Sequence, residues 1–413
     1  MQLSKSKRTI VLLILSLIAG LVYLTPFLRF SFYDQMRSAL GLTDVQMGTI
    51  GGVYGALNVI SYIPSGFLAE RFNTKKLLLI STMGMCLTTV WYSFYPSFAA
   101  LLLIHGLYGV FSVGTFWSPY LKAIRSLAPE NEQGTIFGLS EGLRGMGQTA
   151  VAFLCLGALG LFATYTAGFR MVLYINAGAF ALLFLAVWFL VPDFEKGKSN
   201  PEPMSTTLMN IVRGLKDPSV WVCIFVIMCG YALWNTVNGY IGTYCTRVLN
   251  ISESLSSTLS IVRSYIIVFL AGITGGVALD KFKTKGQGMM LVYLLCGISA
   301  IALLVTENIV IVCIAVTILL AYFVNVIKST YWSILGDAGI PPEATGRATG
   351  IISLIALTPD FFVPPIVSGF IARGEAAGNV SQGFLLMLYW LAAWSVLGMI
   401  ASVILKRRKA TRQ

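Results

Sequence analysis

The sequence predicts an all-α membrane protein with twelve transmembrane helices in two pseudo-symmetric six-helix bundles. Three observations predict it. Of its 413 residues, 56% are hydrophobic and only 11% charged, and the mean hydropathy of +0.79 suits lipid rather than water as the solvent. Apolar runs reaching the roughly 20 helical residues needed to cross a hydrocarbon core recur along the chain, about twelve in all. Motifs of the first half also return in the second, the mark of an internal repeat.

In the first half the runs are Thr9–Phe32, Gln46–Ala69, Lys76–Tyr95, Phe98–Lys122, Gln133–Leu156 and Gly168–Leu190. Residues 1–191 are therefore expected to form an N-terminal six-helix bundle. A polar stretch with Pro192, Pro201, Pro203 and mixed charge follows, so 192–217 reads as a cytoplasmic connector. The second bundle, 218–413, carries Ser219–Gly242, Leu255–Leu279, Gly288–Val305, Asn308–Tyr331, Gly346–Phe370 and Gln382–Leu405.

The formal net charge of +12 suits nucleic acid or acidic lipid, and the placement of the cations decides between these and topology. Four of the 29 Lys and Arg fall in the loops of one side (Arg37, Arg170, Arg247, Arg373) and four inside spans (Arg29, Arg144, Arg263, Lys328). All the others lie in the tails and the loops of the opposite side. By the positive-inside rule that side is the cytoplasm, which holds both termini, and no nucleic-acid partner is expected. The expected location is the bacterial inner membrane, crossed many times. The basic N-terminal stretch lacks a small-residue cleavage site, so its apolar run is expected to remain as the first span. Seven scattered cysteines show no CxxC spacing, so neither a metal site nor a disulfide framework is expected.

The repeat is specific. Gly66-Phe67-Leu68-Ala69-Glu70-Arg71-Phe72-Asn73-Thr74-Lys75 follows span 2, and Gly276-Val277-Ala278-Leu279-Asp280-Lys281-Phe282-Lys283-Thr284-Lys285 follows span 8. Both read G-x-x-x-acid-base-F-x-T-K; chance basic loops account for the lysines but not for the shared glycine, acid, phenylalanine and threonine. Thr115-Phe116-Trp117-Ser118 in span 4 is echoed by Thr330-Tyr331-Trp332-Ser333 in span 10, and Gly134 with Gly138 by Gly346 with Gly350.

On these motifs the whole chain resembles the major facilitator superfamily, whose loop 2/3 signature is G-x-x-x-D-R-x-G-R-R with a degenerate copy in loop 8/9. Glu70, Asn73 and Thr74 depart from that signature. The resemblance implies the major facilitator fold, alternating access, and a conformational gating role for Gly66, Glu70, Arg71, Gly276, Asp280 and Lys281. The Trp117-Ser118-Pro119 segment and the glycine-rich stretch from Gly134 to Gly147 are similar to the organophosphate and organic-anion antiporter branch. There Arg144 aligns with a substrate-site histidine and Arg29 falls close to a substrate arginine, while Trp234 stands where the branch has a second arginine.

Ionisable residues inside a bilayer cost about 2.5–3.5 kcal/mol each on insertion scales, so each needs a partner, water or a ligand. Six are expected here: Arg29, Glu141, Arg144, Arg263, Lys328 and Asp360. Four cations against two acids leave a surplus that an anionic substrate would offset. Arg29 either binds substrate or snorkels, and Glu141 and Arg144, three apart on one face, either bind substrate or pair with each other. Lys328 heads a stripe with Asn325 and Trp332 and, near the cytoplasmic end of span 10, either binds substrate or serves as a gate or surface residue. Tyr231, Trp234, Asn235 and Asn238 share one face of span 7, and Tyr54, Asn58 and Tyr62 one face of span 2, where amides and rings either hold a solute or bond neighbouring helices. The substrate-binding candidates are thus Arg29, Tyr54, Asn58, Trp117, Glu141, Arg144, Tyr231, Trp234, Asn235, Asn238, Lys328 and Trp332. His105, the lone histidine, which either carries a proton or is a hydrogen-bonded packing residue, and Asp360 are the proton-coupling candidates. Gly142, Gly145 and Gly147 in span 5 and Pro359, Pro364 and Pro365 in span 11 are candidate hinges.

The expected function is secondary active transport of a small organic anion, such as a sugar acid or carboxylate, by symport or exchange with a proton or counter-anion. No phosphate-binding Gly-x4-Gly-Lys-Ser/Thr loop is present, so gradients supply the energy. The alternatives are proton-driven export of amphipathic compounds and a substrate sensor that does not transport. No enzyme activity, cofactor or metal is expected, since His, Cys and carboxylate side chains do not cluster, and the chain is expected to act as a monomer in the bilayer.

Overall fold

A computed structural model describes residues 4–128, 132–194, 213–340 and 345–410; most of the expected connector lies outside the described residues. Among those described every regular element is helical. In order the helices are α1 Lys5–Leu24, α2 Leu28–Ser31, α3 Tyr33–Leu40, α4 Asp44–Arg71, α5 Thr74–Ser93, α6 Phe98–Gly109, α7 Trp117–Ser126, α8 Gln133–Gly160 and α9 Tyr165–Leu190. The second half continues with α10 Pro218–Arg247, α11 Glu253–Ile261, α12 Ile267–Asp280, α13 Lys285–Val305, α14 Val310–Thr330, α15 Leu335–Ala338, α16 Thr345–Ala356, α17 Pro359–Ala376 and α18 Val380–Ala410.

The helix ends follow from local chemistry. Side chains of Ser4, Asn73, Thr164, Asp217, Ser252 and Thr284 accept hydrogen bonds from first-turn amides, satisfying groups that the helix itself leaves open. The first apolar run does not stay helical to Phe32: Thr25 still has helical backbone angles, but Pro26 has no N–H with which to continue the ladder, so α1 stops at Leu24. Arg29 consequently sits on the four-residue α2, beyond the first long helix. Span 11 is likewise divided, with α17 restarting at Pro359, whose missing N–H costs nothing at a first helical position.

Ten helical stretches among the described residues are long and apolar enough to cross a membrane. The other two long helices, α4 and α5, carry the acid, base and hydroxyl groups of the first repeated motif and its flanks, which lowers their hydropathy. They complete the twelve. Large apolar side chains such as Phe189 (76% exposed), Ile311 (82%) and Val305 (77%) face outward, as lipid requires, while buried tyrosines, serines and threonines are interspersed among the aliphatic side chains of the interior.

The residues divide into two compact units, one of 1–42 with 53–203 and one of 43–52 with 204–413. In the first, α1 lies against α8 and α9, and α5 against α9. Ser140 ties three helices together, bonding Ser16 at 2.8 Å and the Tyr120 hydroxyl at 2.7 Å. In the second, α18 lies against α10 and α13, and α12 against α14. Both copies of the Thr-aromatic-Trp-Ser motif mark a break in helical winding. A π-helical turn at Val110–Gly114 precedes Thr115, and a 3₁₀ turn covers Tyr331–Ile334. Trp332 therefore no longer continues the α-helical stripe that starts at Asn325.

Candidate functional site

Within the first unit, Arg29 is 2% exposed. Its guanidinium lies 4.7 Å from the Phe30 ring centroid and 5.9 Å from that of Phe27, and its Nη1 has no hydrogen-bond partner. A buried charge held mainly by ring faces keeps most of its capacity to attract an anion. The Phe27 ring meets Tyr54 edge-on at 5.0 Å, and Asn58 donates to the Tyr54 hydroxyl at 2.9 Å. Tyr23 stands within electrostatic reach of Tyr54, Tyr62 and Arg144 and meets Trp117 edge-on at 5.9 Å, so these candidates share a neighbourhood. Arg144 and Glu141 form a 2.7 Å ion pair, half-exposed on the glutamate side.

His105 is buried, with Nδ1 2.8 Å from the Leu101 carbonyl oxygen and its ring between the edges of Tyr92 and Tyr108. Gly142 and Gly145 have nothing within 4 Å of where a Cβ would stand, whereas one on Gly147 would meet Leu17 at 2.6 Å.

In the second unit, α10, α14 and α17 bring polar candidates together. The helical spacing of Tyr231 and Trp234 stacks their rings at 5.2 Å and 22°. Lys328 lies over this pair, with Nζ 3.8 Å from the Trp234 centroid and 5.5 Å from that of Tyr231. The Tyr231 hydroxyl donates to Asp360 Oδ2 and Asn235 Nδ2 to Asp360 Oδ1, both at 2.7 Å. Tyr231 thus touches both the cation and the carboxylate. Asn235 Oδ1 remains buried without a partner, while Asn238 is bonded to the Trp234 carbonyl and to Ser264. An ammonium over aromatic faces, a carboxylate that accepts from a phenol and an amide, and an open amide acceptor can together orient a hydroxylated anion.

The repeated motifs end their helices differently. Arg71 lies 3.9 Å over the Phe67 ring, and Lys122 donates to the Ala69 carbonyl at 3.0 Å. In the second unit Asp280 pairs with Lys285, and Asp337 accepts from the backbone of Lys285 and Gly286, placing an acid at the N-terminus of α13. Sequence reasoning passed over Asp337. It also left Arg263 out of the candidate set, although Ser256 and Ser260 precede it at i−7 and i−3, a signal of a polar face inside an apolar run.

The family model described as Major Facilitator Superfamily matches residues 15–364. Inner membrane protein YqcE of Escherichia coli K12 is 28% identical over 411 residues, covering 97% of this chain and 94% of its own. The probable galactarate/D-glucarate transporter GudP of Bacillus subtilis is 21% identical over 420 residues, covering 91% and 89%. Among solved structures, the nucleoside transporter NupG superposes with a TM-score of 0.76 at 15% identity, over 97% of this chain and 98% of that one. The helical architecture, the repeated signature and a family model running through both units agree: this multi-pass membrane protein belongs to the Major Facilitator Superfamily of transporters, and it is not an enzyme.

Proposed function

We propose that the protein moves a small organic anion, a sugar acid or similar carboxylate, by alternating access through symport or exchange. The observation that carries this reading is Lys328 poised over Trp234 and Tyr231 beside a buried Asp360. With Asp360 ionised, the two formal charges cancel. Protonation of Asp360 leaves a net cation among the rings and amides, which favours an anion, so proton and anion bind best together. Arg29 supplies a second buried cation in the first unit. The similarity to GudP, named as a galactarate/D-glucarate transporter, favours polyhydroxy acids as the first class to test.

The test is thermal unfolding of the purified protein with sugar acids, simple carboxylates, neutral sugars and lipophilic cations, followed by uptake into proteoliposomes. Stabilisation by one anion class, weakened at least tenfold in affinity by Lys328→Gln, about 1.4 kcal/mol, is expected. Stabilisation by neutral or cationic compounds, indifferent to Lys328, would overturn the anion reading. Asp360→Asn is expected to abolish pH-driven accumulation while leaving anion exchange; accumulation intact in both Asp360→Asn and His105→Gln would remove proton coupling at either residue.

A further inference from the structure

Arg263 presents a different problem from Lys328. It sits on a π-helical turn, Val262–Ile266, between α11 and α12, and such turns inside α-helices recur at functional sites. It is 1% exposed and the largest of the fully buried side chains. Its Nη2 donates to Ser260 Oγ at 2.8 Å, and its Nη1 to Thr317 Oγ1 at 3.3 Å and to Cys245 Sγ at 4.0 Å. All these partners are neutral. A guanidinium has five N–H donors, and a buried charge without a counter-ion is costly. Ser256 and Thr317 already give their protons to the Gly242 and Ile314 carbonyls, whereas the Ser260 oxygen accepts from Arg263 and its own O–H is given to no acceptor among the described residues.

Gly242 brings bare backbone up to this cation and its serine partner: a Cβ there would stand 2.7 Å from Ser260 Oγ, 3.6 Å from Ser256 Oγ and 3.9 Å from Arg263 Nη2, so any side chain would displace the serine hydroxyls. The guanidinium and the Ser260 hydroxyl suit an acceptor with negative charge and no donors of its own.

The location separates it from the Lys328 cluster. Cys245 lies eleven residues beyond Trp234 on α10, and Thr317 eleven residues before Lys328 on α14. At 1.5 Å per residue, both helices place the Arg263 guanidinium about 16 Å along the helix axes from the Lys328–Trp234 layer. A sugar acid cannot touch both.

We propose that Arg263, Ser260 and the side-chain-free face at Gly242 form a site for a small inorganic monovalent anion of the chloride class. The site does not depend on the organic-anion reading. The test is thermal unfolding of the full chain in detergent, titrated with sodium chloride against sodium isethionate at constant ionic strength. Chloride is expected to raise the melting midpoint with a saturable dependence. That response is lost in Arg263→Gln and retained in Lys328→Gln. Should Arg263→Gln not fold, Ser260→Ala and Gly242→Ala are read instead, and each is expected to weaken the chloride response at least fivefold in half-saturating concentration. An identical melting midpoint in the two salts, a rise that never saturates, or a chloride response unchanged in the folded pocket variants would overturn the proposal.

Discussion

Asp44 has a side chain with no exposure at all, an unusual place for a carboxylate, and Arg247 makes it tolerable. Both belong to the second unit. Arg247 Nη1 lies 2.9 Å from Asp44 Oδ2 and 2.7 Å from Glu375 Oε1, and its Nη2 reaches Asp44 Oδ1 at 3.1 Å, a two-pronged grip on the buried acid. The two acids are not equivalent, because Glu375 is one-third exposed and water can replace its partner. Removing the cation strands Asp44, so Arg247→Ala is expected to destabilise the protein by about 3–5 kcal/mol. Glu375→Gln, with a solvent-screened carboxylate, is expected to cost no more than about 1 kcal/mol. Melting curves of the two variants in detergent check the order. The double variant Asp44→Asn with Arg247→Ala is expected to recover part of the loss, since no buried charge is then left alone; an additive loss would mean that the pair is not coupled.

At the scale of helices, close approach is set by glycines in specific places. A Cβ on Gly109 of α6 would stand 2.8 Å from the Asn58 nitrogen and 2.9 Å from the Tyr54 carbonyl oxygen, both rigid backbone of α4. Gly109→Ala must therefore push apart the helices that present Tyr54 and Asn58, at an expected cost of about 1–3 kcal/mol. Gly142→Ala meets nothing within 4 Å and is expected to be neutral or to stabilise α8 by up to about 1 kcal/mol. If Gly142 is a hinge, that variant transports more slowly while melting no earlier, a combination that proteoliposome uptake and melting together would reveal. Neither distinction was open to the sequence, which shows five glycines in span 5 but not what faces them. The helices themselves were legible, since hydropathy reports residues one turn apart and lipid enforces it. The Tyr231–Trp234 stack was legible for the same reason. What brings Thr317 to Arg263, 54 residues away, or Asp360 to Tyr231, 129 away, is the packing of separate helices, and spacing along the chain carries no trace of it. The break at Pro26 was written in the sequence, yet the apolar character of the residues on either side masked it.

For the whole molecule, an even number of crossings places both tails on one side of the membrane, and the cations then choose which side. Basic loops are retained on the cytoplasmic face because translocating Lys and Arg is unfavourable, and the motif loops with Arg71, Lys75, Lys76, Lys281, Lys283 and Lys285 and the tail with Lys406, Arg407 and Arg408 all carry that signal. The turn between α13 and α14 carries Glu307 and no cation. Single cysteines at Lys7, Lys283 and Arg408 are therefore expected to react with a membrane-impermeant maleimide only in inverted vesicles, and one at Glu307 only in intact cells. Six of the seven native cysteines are buried, leaving Cys86 as the background to remove. Labelling of Lys7→Cys and Arg408→Cys from opposite sides would contradict an even number of crossings. Labelling of both from outside would keep the helices but invert the orientation. The proton-linked anion reading would then have to be turned around as well, because the direction in which a falling pH drives the anion depends on which end of the pathway faces the cytoplasm.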